Sequence, residues 1–269
     1  MFTILIVIEF IIKALPRKFA LGLGSSLGFL GFCLDARHRA LAISNIERAL
    51  CLSRKKAKKI ALKSFQNFGE NIVEFILDGL DTLVLQGREN VNVNQGNIFV
   101  LGHFGNWEIM GRVAKEYNVK ITAVGRKIKN SGVDKYLKRR RAGDGLEVVD
   151  KKWSFGSLIN ALKAGRMVAI LIDQYAGRKG VFVKFLGLST STIASPVLLA
   201  LKTGCPIVPV FIIKDGGKHK FIVERPIEVK RSGNIAKDLE VNTQLMVKPL
   251  EKYVRMYPEQ WWWVHRRWR

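Results

Sequence analysis

The sequence predicts an α/β fold, with a mainly parallel or mixed central sheet flanked by helices and preceded by a helical, membrane-contacting region. Three observations predict it. Short apolar runs at Asn97–Leu101 and at residues 119–124, 167–172 and 207–213 alternate with segments of helical periodicity. Gly165 and Gly204 stand where helix C-terminal glycines belong. Residues 2–15 are almost wholly apolar and residues 19–34 carry no charge. The expected organisation is an apolar, membrane-associating helical segment over residues 1–34 and one α/β domain over residues 35–269.

Taken in order, the first apolar stretch ends at Pro16 and is short for a membrane span: about fourteen helical residues cover ~21 Å, against a hydrocarbon core of ~30 Å. Glu9 and Lys13, four apart, share one stripe of a helix and leave Ile4, Ile8, Ile11, Ile12 and Leu15 on or near the other. That pattern suits in-plane or re-entrant membrane contact, with Arg17, Lys18, Arg37 and Arg39 placed to meet anionic headgroups, and a pair of core helices is the alternative. No basic region precedes the run and no small-x-small cleavage site follows it, which argues against a secretory signal. Gly24-Ser25-Ser26-Leu27-Gly28 matches G-x-S-x-G, but it sits in a helical run with no strand before it and reads as close helix packing.

Ser53 is a helix N-cap candidate ahead of Arg54, Lys55, Lys56, Lys58 and Lys59. Beyond them Phe65, Phe68, Ile72, Phe75 and Ile76 recur at three- and four-residue spacing and predict one buried stripe. Cys33, Cys51 and Cys205 form no CxxC pair and are expected to be small apolar fillers in a reducing compartment. Ser154 is expected to start another helix, and the region from residue 220 to 229 to add an antiparallel strand.

The chemistry gathers where the Asn97–Leu101 strand ends, in Gly102-His103-Phe104-Gly105-Asn106-Trp107-Glu108. In open α/β sheets the C-terminal edge of the strands carries the ligand crevice. Two residues five apart on one helix point ~140° away from each other, so His103 is expected in the loop. With Asn106 as N-cap, Glu108 falls in the first helical turn and can fold back toward the imidazole. On spacing alone that catalytic pairing and a purely structural loop, with Glu108 as a favourable helix-terminal charge, are equally compatible with the sequence. Asp173 follows a buried strand at the same edge and can orient an arginine or a substrate, or serve as a structural carboxylate.

Lys and Arg number 45 against 22 Asp and Glu, a formal charge of +23, which implies a polyanionic partner: anionic lipid, an acidic carrier protein or nucleic acid. An apolar content of 48% excludes a disordered basic tail. Residues 261–269, rich in tryptophan and arginine, suit a headgroup boundary. No nucleic-acid module pattern is visible, so nucleic acid is not the expected partner.

His103-x4-Glu108 resembles the H-x4-D/E motif of the lysophospholipid acyltransferase superfamily, and the string LGHFGNWE is similar to that of the late lipid A biosynthesis acyltransferases, the lauroyl and myristoyl transferases acting on Kdo2-lipid IVA. Further blocks resemble the family in the same order: Val124-Gly125-Arg126 with Asn130 and Asp134, then Asp173-Gln174 with residues 180–183, then Pro258-Glu259-Gln260-Trp261 with His265-Arg266-Arg267. Ser131 departs from the family, standing where a proline often follows the asparagine.

The resemblance implies a direct O-acyl transfer, without acyl-enzyme or metal, from acyl-acyl carrier protein or acyl-CoA to a hydroxyl of a phosphorylated glycolipid, a lipid A precursor in lipopolysaccharide biosynthesis. His103 would be general base and Glu108 its partner. Arg126, Arg141, Asp173, Gln174 and Asn106 would bind substrate, the arginines through phosphates, while Arg140 is expected in solvent. Acyl carrier protein, anionic membrane lipid and the glycolipid acceptor are the implied partners, at the cytoplasmic face of a bacterial inner membrane. Two alternatives stay open: acylation of another glycolipid or an aminolipid, and a non-catalytic basic protein binding anionic lipid or nucleic acid.

Overall fold

The computed structural model describes residues 1–77, 83–125, 128–143, 146–150, 154–215 and 218–269. Helices α1 (Phe2–Ala14) and α2 (Arg17–Leu34) are separated at Pro16, whose ring cannot continue an upstream helix. Asp35 caps α3 (Ala36–Leu50) by accepting the His38 main-chain N–H at 3.0 Å, and α4 (Arg54–Leu77) begins directly after Ser53.

The α/β part follows: β1 (Leu83–Gln86), β2 (Asn97–Leu101), α5 (Met110–Tyr117), β3 (Ile121–Gly125), α6 (Ser131–Gly143), β4 (Leu146–Asp150), α7 (Ser154–Lys163) and β5 (Met167–Leu171). The hairpin of β6 (Val181–Phe185) and β7 (Leu188–Thr192) then precedes α8 (Ser195–Thr203), β8 (Ile207–Asp215), β9 (Lys218–Val223) and α9 (Ile235–Met256). Gly204 ends α8 at φ +75°, as the sequence predicts, because the left-handed conformation is free of strain without a Cβ.

Seven strands form one sheet in the order β1-β9-β8-β2-β5-β3-β4, every neighbouring pair parallel except β8 with β9. The expected antiparallel addition is therefore present, as β9. Strand β2 is buried along its whole length, so its run is apolar on both faces apart from Asn97. Ile98 and Val100 point into one core with residues of α7, α8 and α9, and Phe99 and Leu101 into the other with Val113 and Ala114 of α5. The chain leaves β2 toward β3 on one side, and after β5 it passes to β8 on the other. The β2–β5 gap is thus the switch point where an open sheet forms its crevice.

Gly24 and Gly28 of α2 face Gly69 and Phe65 of α4. A Cβ on Gly24 would lie 2.7 Å from the Gly69 carbonyl oxygen, so only glycine permits this helix approach. The G-x-S-x-G match is accordingly a packing seam inside a helix.

Helix α1 turns Glu9 inward and leaves Lys13 exposed. Glu9 pairs with Lys13 (2.8 Å) and with Arg139 (2.9 Å) and Arg140 (3.0 Å) of α6, while Ile12 is buried and Ile4, Ile8 and Ile11 face out. Phe10 is 75% exposed, Phe19 73% and Leu34 81%, so α1 and α2 together present an apolar outer surface. Among the described residues no single helix is long and apolar enough to cross a membrane; α2 and α3 meet that requirement only as a pair, and the pair is bent by 93°.

Four expectations are corrected by packing. Trp261, Trp263 and Trp268 are buried among Phe185 and residues of both α4 and α9, and so do not form a headgroup boundary. Arg140 is only 8% exposed at its side chain, drawn inward by Glu9 and by the Phe75 and Ile76 carbonyls that end α4. Cys33 and Cys51 are exposed rather than core fillers. Ile72 is exposed because the buried face of α4 turns through Val73, Phe75 and Ile76.

Candidate active site

The β2–β5 register pairs Leu101 with Leu171 in parallel, so the residues two positions beyond each strand end emerge side by side. They are His103 and Asp173. The Asp173 carboxylate lies 2.8 Å from His103 Nδ1 through Oδ1, and its Oδ2 accepts the His103 main-chain N–H at 2.7 Å and the Trp261 indole N–H at 2.8 Å. Asp173 is fully buried while the His103 side chain is 15% exposed. Burial opposes ionisation of Asp173, but the positive charge and hydrogen bond of His103 outweigh it and hold the carboxyl well below its usual range. An ionised carboxylate only accepts hydrogen bonds, which makes Nδ1 the proton-bearing nitrogen and leaves Nε2 as the basic one.

Burial also works against the charged imidazole of His103. The charge and hydrogen bond of Asp173, with the charge of Glu108 added, win and raise its pKa above the ordinary imidazole range. The ring meets Trp107 and His265 edge-on, at centroid distances of 5.0 and 4.6 Å. His265 has its pKa pushed down by burial to about 4 and is neutral near pH 7.

Glu108 lies in the 3-10 turn Trp107–Ile109, and its carboxylate is taken by Arg141 of α6: Nη2 donates to Oε1 at 2.8 Å and Nε to Oε2 at 3.0 Å. The expectation that Glu108 folds back onto the imidazole is replaced by this forked ion pair, and Glu108 acts on His103 through its field. Arg141, expected at a phosphate, is the other half of the pair. Asn106 precedes the turn but makes no side-chain cap. It is 2% exposed, and its amide donates to Glu74 (3.0 Å) and to the Asn71 carbonyl (3.3 Å) instead of facing a substrate.

Gln174 is exposed next to Asp173, and its carbonyl accepts from the buried Arg267 at 2.7 Å. Arg126 lies outside the described residues. Asp173 therefore orients the histidine rather than an arginine or the acceptor, a role the sequence reading did not assign. The signal that would have found it is strand order, since β2 and β5 are neighbours only in space. The donor atoms of His103, Asp173 and His265 fall within 4.8 Å of one another. Both Asp173 oxygens already accept N–H groups, the pattern of an orienting carboxylate rather than of an open metal ligand.

Fold and site define an α/β protein with a tautomer-locked imidazole just beyond the strand ends at a sheet switch point. The chain belongs to the bacterial lipid A biosynthesis acyltransferase family, whose profile matches residues 1–269, and it is an acyltransferase. It is 26% identical to the lipid A biosynthesis lauroyltransferase of Escherichia coli (strain K12) over 96% of this chain and 87% of the relative. It is 24% identical to the lipid A biosynthesis palmitoleoyltransferase of the same organism, over 94% and 86%. The phosphatidylinositol mannoside acyltransferase of Mycolicibacterium smegmatis is 24% identical over 66% of this chain and 58% of its own length.

Proposed function

We propose that this acyltransferase moves a fatty acyl group from acyl-acyl carrier protein, or acyl-CoA, to a hydroxyl of a phosphorylated glycolipid, a lipid A precursor, at the cytoplasmic face of the inner membrane. The observation that carries the reading is a His103 ring whose Nδ1 is held by Asp173 and whose basic Nε2 makes no hydrogen bond among the described residues. In the reaction, Nε2 takes the acceptor hydroxyl proton as the oxygen attacks the thioester carbonyl. The carbon–oxygen bond forms, the carbon–sulfur bond breaks, and the imidazolium, stabilised by Asp173 and by the field of Glu108, returns the proton to the leaving thiolate.

No metal or other cofactor enters this scheme. The apolar surface of α1 and α2, with the +23 charge behind it, supports contact with an anionic bilayer and keeps the site beside its lipid acceptor. The same excess charge favours an acidic carrier protein as donor. The likeness to a phosphatidylinositol mannoside acyltransferase supports a second acceptor, a mannosylated inositol lipid.

The test is acyl transfer by the purified protein from acyl-acyl carrier protein to a tetraacylated lipid A precursor, together with mass spectrometry of total lipids from cells with and without the protein. A lipid gaining one acyl chain is expected. Failure of transfer to either acceptor class, or full activity of His103→Ala, would overturn the reading.

A further inference from the structure

We propose that Glu74, acting with Asn71, is a positioning residue for the transfer, clamping through Asn106 and Gly105 the loop that carries both His103 and Glu108. The inference rests on the acyl-transfer reading for its kinetic consequence and on geometry for the clamp itself.

Glu74 is 1% exposed, in the last turn of helix α4. Its carboxylate accepts from Asn106 Nδ2 at 3.0 Å and lies 3.0 Å from His219 Nε2 of β9, while Lys214 of β8 brings its ammonium to 3.3 Å and Arg17 of α2 reaches 4.0 Å. Burial opposes the charge, yet His219, Lys214 and Asn106 hold the carboxyl down at about 2, so it stays a hydrogen-bond acceptor across the working pH range. A buried ion with this many partners rarely stabilises a fold better than a packed apolar side chain, so its value lies in what it fixes in place.

What it fixes, together with Asn71, is the path of Gly105 and Asn106. Asn71 and Glu74, three apart on one face of α4, hold consecutive loop residues, since Asn71 Nδ2 donates to the Gly105 carbonyl at 2.7 Å. From the other side Gly105 N–H donates to the Gln260 carbonyl and Trp262 N–H to the His103 carbonyl, both at 2.9 Å. Gly105 itself sits at φ +56° against the Ile212 carbonyl, where a side chain has no room. The clamped pair lies two residues after His103 and two before Glu108. A small shift there displaces both ends of the motif, and a misplacement of about 1 Å can cost about 100-fold in rate.

The test uses the full chain. Glu74→Gln is expected to lower kcat about 10- to 100-fold with KM for acyl-acyl carrier protein nearly unchanged, and to speed amide hydrogen exchange in the peptide spanning residues 100–110. Asn71→Ala, at a half-buried position, should act in the same direction. Glu74→Gln combined with Asn106→Ala should lose little more than either alone, because both break one contact. Wild-type kcat and exchange in Glu74→Gln would overturn the proposal, as would losses that multiply in the double variant. If Glu74→Gln does not fold, unchanged kcat and exchange in Asn71→Ala overturn it equally. Exchange is read without substrate, so an inactive wild type sinks the acyl-transfer reading while the clamp is still judged on its own measurement.

Discussion

The Asp173 carboxylate holds His103 twice, at the ring through Nδ1 (2.8 Å) and at the main chain through the peptide N–H (2.7 Å). One buried anion thereby sets the tautomer, the ring plane and the position of the backbone from which the ring hangs.

Asp173→Asn should therefore cost more than a lost charge. On the proposed mechanism His103 acts in its neutral form, so the rate falls as pH drops through its raised pKa. Without the Asp173 charge, burial dominates and the acidic limb moves to lower pH, while the maximal rate falls by roughly 10²- to 10⁴-fold. A kcat/KM profile against pH reads both effects, and an unmoved limb contradicts the assignment.

Glu108 and Arg141 form the second electrostatic pair. Glu108→Gln removes its field at His103 and should move the same limb downward by less than Asp173→Asn does. Arg141→Lys keeps the charge but loses the fork, and activity should drop about tenfold. Equal activity for Arg141→Lys and wild type would show that the planar geometry is dispensable.

The α2–α4 seam predicts a stability difference between glycines. Gly69→Ala drives a Cβ against the Gly24 carbonyl, which has no rotamer to escape into, and should cost roughly 1–3 kcal/mol. Gly22→Ala, on α2 with nothing within 4 Å, should be neutral or slightly stabilising. Thermal unfolding of the two variants decides it.

Acid sensitivity follows from Glu74. Its pKa is lowered on folding from 4.5 to about 2, so its stabilisation is present above 4.5 and is lost as pH falls toward 2. The effect is on the order of 3 kcal/mol. Denaturant melts at pH 5 and pH 3 should show a steeper loss for wild type than for Glu74→Gln; parallel losses would contradict this.

Phe10→Asp combined with Phe19→Asp should weaken binding to anionic phospholipid vesicles in a flotation assay and leave thermal stability unchanged, since both rings are exposed. Undiminished flotation would assign membrane contact elsewhere.

How much of this was legible in the sequence depended on whether the signal was local. Strands β2, β5 and β8 were readable as unbroken apolar runs because both faces of each are buried. β1 and β4 lie at the sheet edges and the β6–β7 hairpin stands apart from it, so their residues mix polar and apolar types and gave no clear run. His103 was visible as a histidine just beyond a strand. Its pairing with Asp173 was not, because it requires knowing that β2 and β5 are adjacent. The five-residue spacing of Glu108 suggested the ring, whereas a tight 3-10 turn delivers the carboxylate to Arg141. The tryptophans at residues 261–268 looked interfacial in composition; contacts with Phe185 and Phe65, remote in sequence, bury or cover them.

Helix α1 is moored by ions and sheathed in oil. An ordinary surface helix is glued on by its greasy side and is indifferent to brine, but this one is attached to α6 largely through Glu9, Arg139 and Arg140. Concentrated salt should weaken the exposed Arg139 arm more than the buried Arg140 arm, and an apolar, low-dielectric setting should tighten the same attachment. The helix is thus fastened most firmly where water is scarce.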